Sequence, residues 1–189
     1  MKIYTRTGDK GQTRIIGKKV VNKSDTRVEA YGTVDELNSL VGFAISVLDE
    51  KTQVLQPELE EIQQLLFDAG TDLATLNDDS RHAFIFGKNA GATDWLEGKI
   101  DTYTTAVPEV HKFILPGGAT PAATLHLART VTRRAERLIV ALQQEEAINQ
   151  DVLVFMNRLS DYFFAVARYA NFLAGHDDIL YRNSKPVFR

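Results

Sequence analysis

The sequence predicts an all-α protein, an antiparallel bundle of five helices joined by short connections. Apolar residues recur at helical spacing through most of the chain. The interruptions are short and marked by proline or glycine. Almost no stretch shows the apolar–polar alternation of a half-buried strand.

Residues 28–49, VEAYGTVDELNSLVGFAISVLD, place Val34, Leu37, Val41 and Leu48 on one helical stripe. A second helix opens at Pro57, a residue suited to the first turn, with Glu58, Glu60 and Glu61 near the positive end of the dipole. Residues 77–92, NDDSRHAFIFGKNAGA, break the period with Asn, Asp and Gly and read as a loop. A third helix spans Thr93 to Val107 and stops before Pro108. LPGGATPAA at 115–123 is a turn feeding a fourth, with Thr120 as N-cap and Pro121 as first helical residue. That helix runs to about Glu146, and the last one spans Gln150 to Ala174, ending at Gly175. One domain of 189 residues results: a non-helical segment 1–27, a bundle 28–175 and a tail 176–189. Both non-helical ends must lie on the bundle or between subunits.

Hydrophobic content of 44% is enough for a substantial core. A formal net charge of -3 argues against general nucleic-acid binding, so any anion site must be a local cluster of cations. The absence of cysteine excludes disulfides, thiol nucleophiles and cysteine metal sites. MKIYTRTGDK has no apolar signal region and no run approaches transmembrane length, so the expectation is a cytoplasmic protein without a membrane partner.

The stretch TRTGDKGQTR at 5–14 has no apolar side chain. It reads as a frayed tail, a tight turn or a loop around an anion. Its glycines can present backbone N–H groups, Thr5, Thr7 and Thr13 supply hydroxyls, and Lys10 and Arg14 supply charge, a set suited to polyphosphate. It is not a Walker A loop, since no G-K-[ST] follows.

Within LARTVTRRAERLIVAL, about 100° per residue puts Val131, Ala135, Leu138 and Leu142 on an apolar stripe. Arg129, Arg133 and Arg137 recur on the other side beside Glu136, and repel one another unless an anion or carboxylates lie opposite. A solvated basic face is the plain alternative. Arginine rather than lysine favours fork-like contact with phosphate or carboxylate. The last helix carries Asn157, Asp161 and Arg168 on a matching polar face, with Met156, Leu159, Phe163 and Val166 packing inward. Matching polar faces fit a site or a subunit interface. His82, His111, His126 and His176 lack metal-ligand spacing and read as surface or packing residues. Asp35 and Glu36 read either as exposed carboxylates or, one turn from Tyr31 and near Asn38, as groups with a partner on another chain. Phe113 on its own reads as core.

In combination the motifs are more specific. TRTGDKGQT, AYGTVDELNSLVG, ILPGG, RTVTRRAER and NRLSDYFF occur in order, from about residue 3 to the C-terminal FR. They resemble the PduO-type ATP:cob(I)alamin adenosyltransferases; loop 77–92 has least family character, and GATPAA is a minor variant after LPGG. The resemblance implies a homotrimer of five-helix bundles with active sites between subunits, and a phosphate-binding N-terminal loop around ATP. It places Thr5, Arg6, Thr7, Gly8, Asp9, Lys10, Gly11, Thr13, Lys23, Arg133, Arg134, Glu136, Arg137 and Asn157 around ATP. Mg²⁺ is then held mainly through the ATP phosphates. Asp35 and Arg129 would form an intersubunit ion pair at the site, and Phe113 with Phe188 would line the corrin side. Asp35, Arg129, Arg133 and Phe113 are the implied catalytic set. The implied partners are the corrinoid, further copies of the chain, and a reductase supplying cob(I)alamin.

Cob(I)alamin is itself a strong nucleophile, so neither a protein nucleophile nor a general base is required. The protein must neutralise the leaving triphosphate and hold an in-line geometry. Two other readings remain at this level: a non-catalytic helical module that binds nucleotide or polyphosphate, and a structural oligomer whose arginines only make interfaces.

Overall fold

The computed structural model describes residues 3–17, 19–76, 83–88 and 91–187. A short hairpin comes first: β1 (Gln12–Arg14) pairs antiparallel with β2 (Val20–Asn22), Thr13 opposite Val21. Five helices follow, α1 (Thr26–Ser46), α2 (Gln56–Leu73), α3 (Ala92–Ala106), α4 (Thr120–Glu145) and α5 (Gln150–Ala174). The hairpin was not expected from pattern, because three-residue strands are too short to show alternation.

Local chemistry explains the helix ends. Asp25 caps α1 by accepting from the Arg27 N–H at 2.9 Å, so the helix starts ahead of its apolar stripe and ends before Leu48. Asn149 caps α5, and Gly175 closes it at φ 78°, a conformation that costs glycine little. At α4 the cap differs from the sequence reading. Ala119 occupies the cap position and Thr120 is already helical. The Asn171 side chain of α5 stands in, accepting from the Ala119 N–H at 3.0 Å and donating to the Gly117 carbonyl at 2.9 Å. A Cβ on Gly118 would sit 2.1 Å from the Asn171 Oδ1, so the second glycine of LPGG is required by close approach as well as by its φ of 107°.

The helices neighbour one another in the order α2–α1–α4–α5–α3. The four residues between α4 and α5 make that pair a helical hairpin. Flanked on both sides, α5 buries Phe155, Met156, Leu159, Phe163 and Val166. From α1 come Val34, Leu37 and Val41, and from α4 Val131, Ala135, Ile139 and Leu142. Helix α3 is tied to α2 by buried Glu58, which accepts from the Tyr103 hydroxyl at 2.9 Å and pairs with Lys99.

The stretch read as a plain loop carries core. Phe86 is buried against the Phe155 ring, with centroids 5.0 Å apart. Buried Asp72 accepts from the Ile85 N–H at 2.7 Å, the Phe86 N–H at 3.1 Å and Asn149 Nδ2 at 2.7 Å. Residues 77–82, 89 and 90 of this loop lie outside the described residues.

Arg27 is the other buried junction. Its guanidinium donates to the Leu73 carbonyl at 2.6 Å, the Thr75 carbonyl at 3.1 Å and Glu146 at 2.9 Å. Three helices therefore meet on one side chain. Arg27→Ala leaves Glu146 and two carbonyls without this donor, at a cost of about 3 kcal/mol or more. We expect thermal unfolding to drop by roughly 10 °C, with Arg27→Lys in between; an unchanged melting temperature for Arg27→Ala would refute the junction.

Candidate functional site

The N-terminal loop is exposed yet ordered by its own backbone. The Gly11 N–H bonds the Gly8 carbonyl at 3.1 Å, and the Lys23 N–H bonds the Gly11 carbonyl at 2.8 Å. The hairpin thus folds Lys23 back over the loop, its ammonium 3.1 Å from where a Gly8 Cβ would stand. Thr5 and Thr7 share a hydrogen bond at 2.8 Å, and Arg6 takes a positive φ of 62°, a conformation a non-glycine residue adopts at some cost. Thr5, Arg6, Thr7, Asp9, Lys10 and Gly11 are exposed; Gly8 and Thr13 are half-buried. The loop is anchored by buried Ile15, and by the Ile16 N–H to the Ala74 carbonyl at 3.0 Å.

A second cluster lies on α4 and α5. Asn157 donates to Glu136 at 2.7 Å, so the asparagine and glutamate of the two motifs meet. Arg137 donates to the Arg133 carbonyl at 3.0 Å. Arg134 turns the other way and pairs with Glu36 of α1. Beside this cluster a cavity of about 310 Å³ is lined by Phe113, Arg129, Arg133, Asp161 and Phe164 among others. Phe113 is 57% exposed, which excludes the core reading.

Arg129 is an unbalanced group at this cavity. Its Nε is buried with no partner among the described residues. Burial, then the neighbouring Arg133 charge, lowers its pKa. Asp35 does not supply the missing partner within the chain. It is exposed in a different groove, between α1 and α2, lined also by Ile16, Tyr31 and Gly70. No hydrogen bond or ion pair among the described residues joins the N-terminal loop to the α4–α5 cluster. One chain therefore holds two separated sets of groups.

Three residues differ from expectation or escaped it. Arg168 shares the angular face of Asn157 and Asp161 but is buried, because residues 107–110 and 176–180 cover that end of α5. It donates to Asp178 at 2.7 Å and to the Pro108 carbonyl at 2.6 Å. Phe164 lines the cavity and was not singled out, although seven residues after Asn157 is a two-turn spacing that could have found it. His126, one turn before Arg129, is buried with neither nitrogen bonded. Phe188 and His82 lie outside the described residues. Among the described residues no cluster of His, Asp or Glu could hold a metal, and no helix is long and apolar enough to cross a membrane.

Residues 3–170 match the profile of a family described as cobalamin adenosyltransferase. The chain is 48% identical to the corrinoid adenosyltransferase of Bacillus subtilis (strain 168), over 100% of this chain and 96% of that protein. It is 40% identical to the corrinoid adenosyltransferase PduO of Salmonella typhimurium, over 98% of this chain and 54% of that protein. Among solved structures, a Phe-to-His variant of a PduO-type ATP:corrinoid adenosyltransferase from Lactobacillus reuteri, complexed with cobalamin and ATP, superposes with a TM-score of 0.97. The two are 66% identical, covering 99% of this chain and 100% of that one.

His126, packed near the ring of the cavity-lining Phe164, makes the fold acid-sensitive. Burial first, then Arg129 and Arg168, against an opposing pull from Asp178, lowers its pKa to about 4. An unfolded histidine titrates near ~6.5. The depressed folded value means the unfolded chain binds the proton more readily. Its contribution is fully present above about pH 6.5 and is lost as pH falls from there to about 4. His126→Gln should show a shallower loss of urea midpoint between those values than the parent; parallel pH profiles would refute this.

Proposed function

The chain belongs to the cobalamin adenosyltransferase family, and we propose that its two separated sets of groups are halves of active sites completed between subunits of a homotrimer. The chain is a corrinoid adenosyltransferase: it transfers the 5′-deoxyadenosyl group of ATP to the cobalt of cob(I)alamin. The cobalt lone pair forms the bond to C5′, the C5′–O bond breaks, and triphosphate leaves with that electron pair.

The observation that carries the intersubunit reading is the buried, unpartnered Arg129 Nε at the rim of the Phe113 cavity. A buried N–H donor without an acceptor is costly. Asp35 of another copy, exposed beside the N-terminal hairpin, is the carboxylate of the right kind. That pairing would bring one chain's loop to another chain's α4–α5 cluster. Large apolar side chains left exposed on four helices, among them Phe43, Phe67, Leu127 and Phe172, support contact surfaces between copies.

In this reading Thr5, Thr7, Gly8, Gly11, Thr13, Lys10 and Lys23 present hydroxyls, N–H groups and charge to the triphosphate. Arg133 and Arg137 stabilise the charge that builds on its leaving oxygen. Asn157 and Glu136, bonded to each other, hold the nucleoside end. Arg6 and Arg134 are outer contributors, the latter restrained by Glu36. Asp9 and the threonine hydroxyls are hard oxygen donors that fit Mg²⁺ carried on the phosphates. Bound there, the ion would supply further charge neutralisation. Phe113 faces the corrin, where an apolar ring excludes water and the cobalt's lower ligand. Phe188, outside the described residues, is assigned to the corrin side by the family resemblance alone. The single domain divides at about residues 27 and 175 into nucleotide loop, bundle and tail, and works in the cytoplasm beside a reductase that supplies cob(I)alamin.

ATP, Mg²⁺ and chemically reduced cobalamin should yield a light-sensitive alkyl-cobalt product. A purely regulatory module would bind ATP and form none. Arg133→Lys keeps the charge and loses the bidentate fork, so kcat/KM for ATP should fall by about tenfold or more. Equal kinetics in parent and variant would show that charge alone suffices. Sedimentation equilibrium should give three times the 21.1 kDa chain mass; a clean monomer at micromolar concentration would remove the shared sites.

A further inference from the structure

Packing does not hold Phe113 in place, since its side chain is largely exposed. Its backbone is held instead, and entirely by the C-terminal tail. The Phe113 carbonyl accepts from the Tyr181 N–H at 2.7 Å, and its N–H donates to Ser184 Oγ at 2.9 Å. On either side, the Leu115 N–H bonds the Ile179 carbonyl at 2.8 Å and the Val187 N–H bonds the His111 carbonyl at 3.0 Å. Ile114 and Leu180 form an antiparallel bridge. The two segments are thus one ribbon without a core of its own, and a two-stranded ribbon in water is marginal alone.

Something must fix that ribbon to the bundle. Arg168, 5% exposed on α5, bonds both of its strands at their roots. Its Nε donates to Asp178 Oδ2 at 2.7 Å at the start of the tail, and its Nη2 donates to the Pro108 carbonyl at 2.6 Å where the other strand leaves α3. Asp178 is largely covered as well, at 18% exposure. A buried charge-assisted pair of this kind holds one geometry, because either partner alone would be left desolvated.

We propose that the Arg168–Asp178 pair is a latch that positions Phe113, and through it sets how the protein receives the corrinoid rather than the nucleotide. This rests on the reading of Phe113 as facing the corrin. Neither latch residue touches substrate; both are positioning residues. The ATP groups lie on the N-terminal loop and on the α4–α5 cluster, away from the ribbon root. Breaking the latch therefore acts mainly on the corrinoid, even though Arg133 shares the Phe113 cavity.

The test compares Asp178→Asn, Asp178→Ala and Phe113→Ala with the parent. It reads melting temperature, KM for ATP, KM for cob(I)alamin, and the electron paramagnetic resonance of bound cob(II)alamin, whose nitrogen splitting reports the lower ligand. Asp178→Ala should raise the corrinoid KM by about tenfold or more and restore the nitrogen splitting, while KM for ATP stays within about twofold. Asp178→Asn, whose amide oxygen still accepts from Arg168, should fall between. If Phe113→Ala alters the corrinoid parameters and neither Asp178 variant does, the latch is overturned and the Phe113 reading stands. Equal losses for both substrates, tracking a lower melting temperature, would also overturn the latch. If Phe113→Ala leaves the corrinoid parameters unchanged, the corrin-facing reading falls and the latch with it. Should Asp178→Ala not fold, Asp178→Asn is judged by the same criteria.

Discussion

The buried guanidinium of Arg27 is the constraint on which the arrangement of this molecule turns. Taking a full charge out of water is tolerable only when its donors are met. Here two carbonyls at the end of α2 and the Glu146 carboxylate just past α4 meet them. Those acceptors can converge only if the starts and ends of three helices lie together. The same corner receives the N-terminal hairpin, through the Ile16 N–H on Ala74. The loop carrying Thr5 to Thr13 is exposed, so its placement depends on that corner rather than on burial of its own.

A shared device recurs at the other junctions. Asp72 gathers Ile85, Phe86 and Asn149, Glu58 holds Tyr103 and Lys99, and Asn171 caps α4 from α5. Each is a buried polar group satisfied by segments far apart in sequence. Such groups specify a single packing because a slip leaves them unmet. Arg129 departs from this rule, being buried at Nε without an acceptor, and it sits where the catalytic reading needs a second chain. His126, one turn away, departs from it too, with both ring nitrogens buried and unbonded among the described residues.

Stability and chemistry are also divided along the fold. The bundle from α1 to α5 supplies the core and carries the α4–α5 cluster, whereas the N-terminal loop and Phe113 lie on exposed segments outside it. Exposed segments can approach large ligands, but they need tethers. The hairpin tethers one and the tail tethers the other.

The sequence by itself determined the helices, because helical periodicity and capping residues are local. The five segments and the end of α5 at Gly175 follow from spacing within a dozen residues. The ordered motifs also identified the family, since residue types at fixed spacing survive without any structure. What required tertiary structure was every pairing across long separations. Nothing near Arg27 announces Glu146, and Thr120 looks like a cap until Asn171 displaces it. Angular position put Arg168 beside Asn157, yet the tail and the 107–110 segment bury it. Phe113 read as core by residue type and proved exposed, because the ribbon holds its backbone from one side only. Periodicity reports which face of a helix a residue occupies. What covers that face is decided by chain arriving from elsewhere.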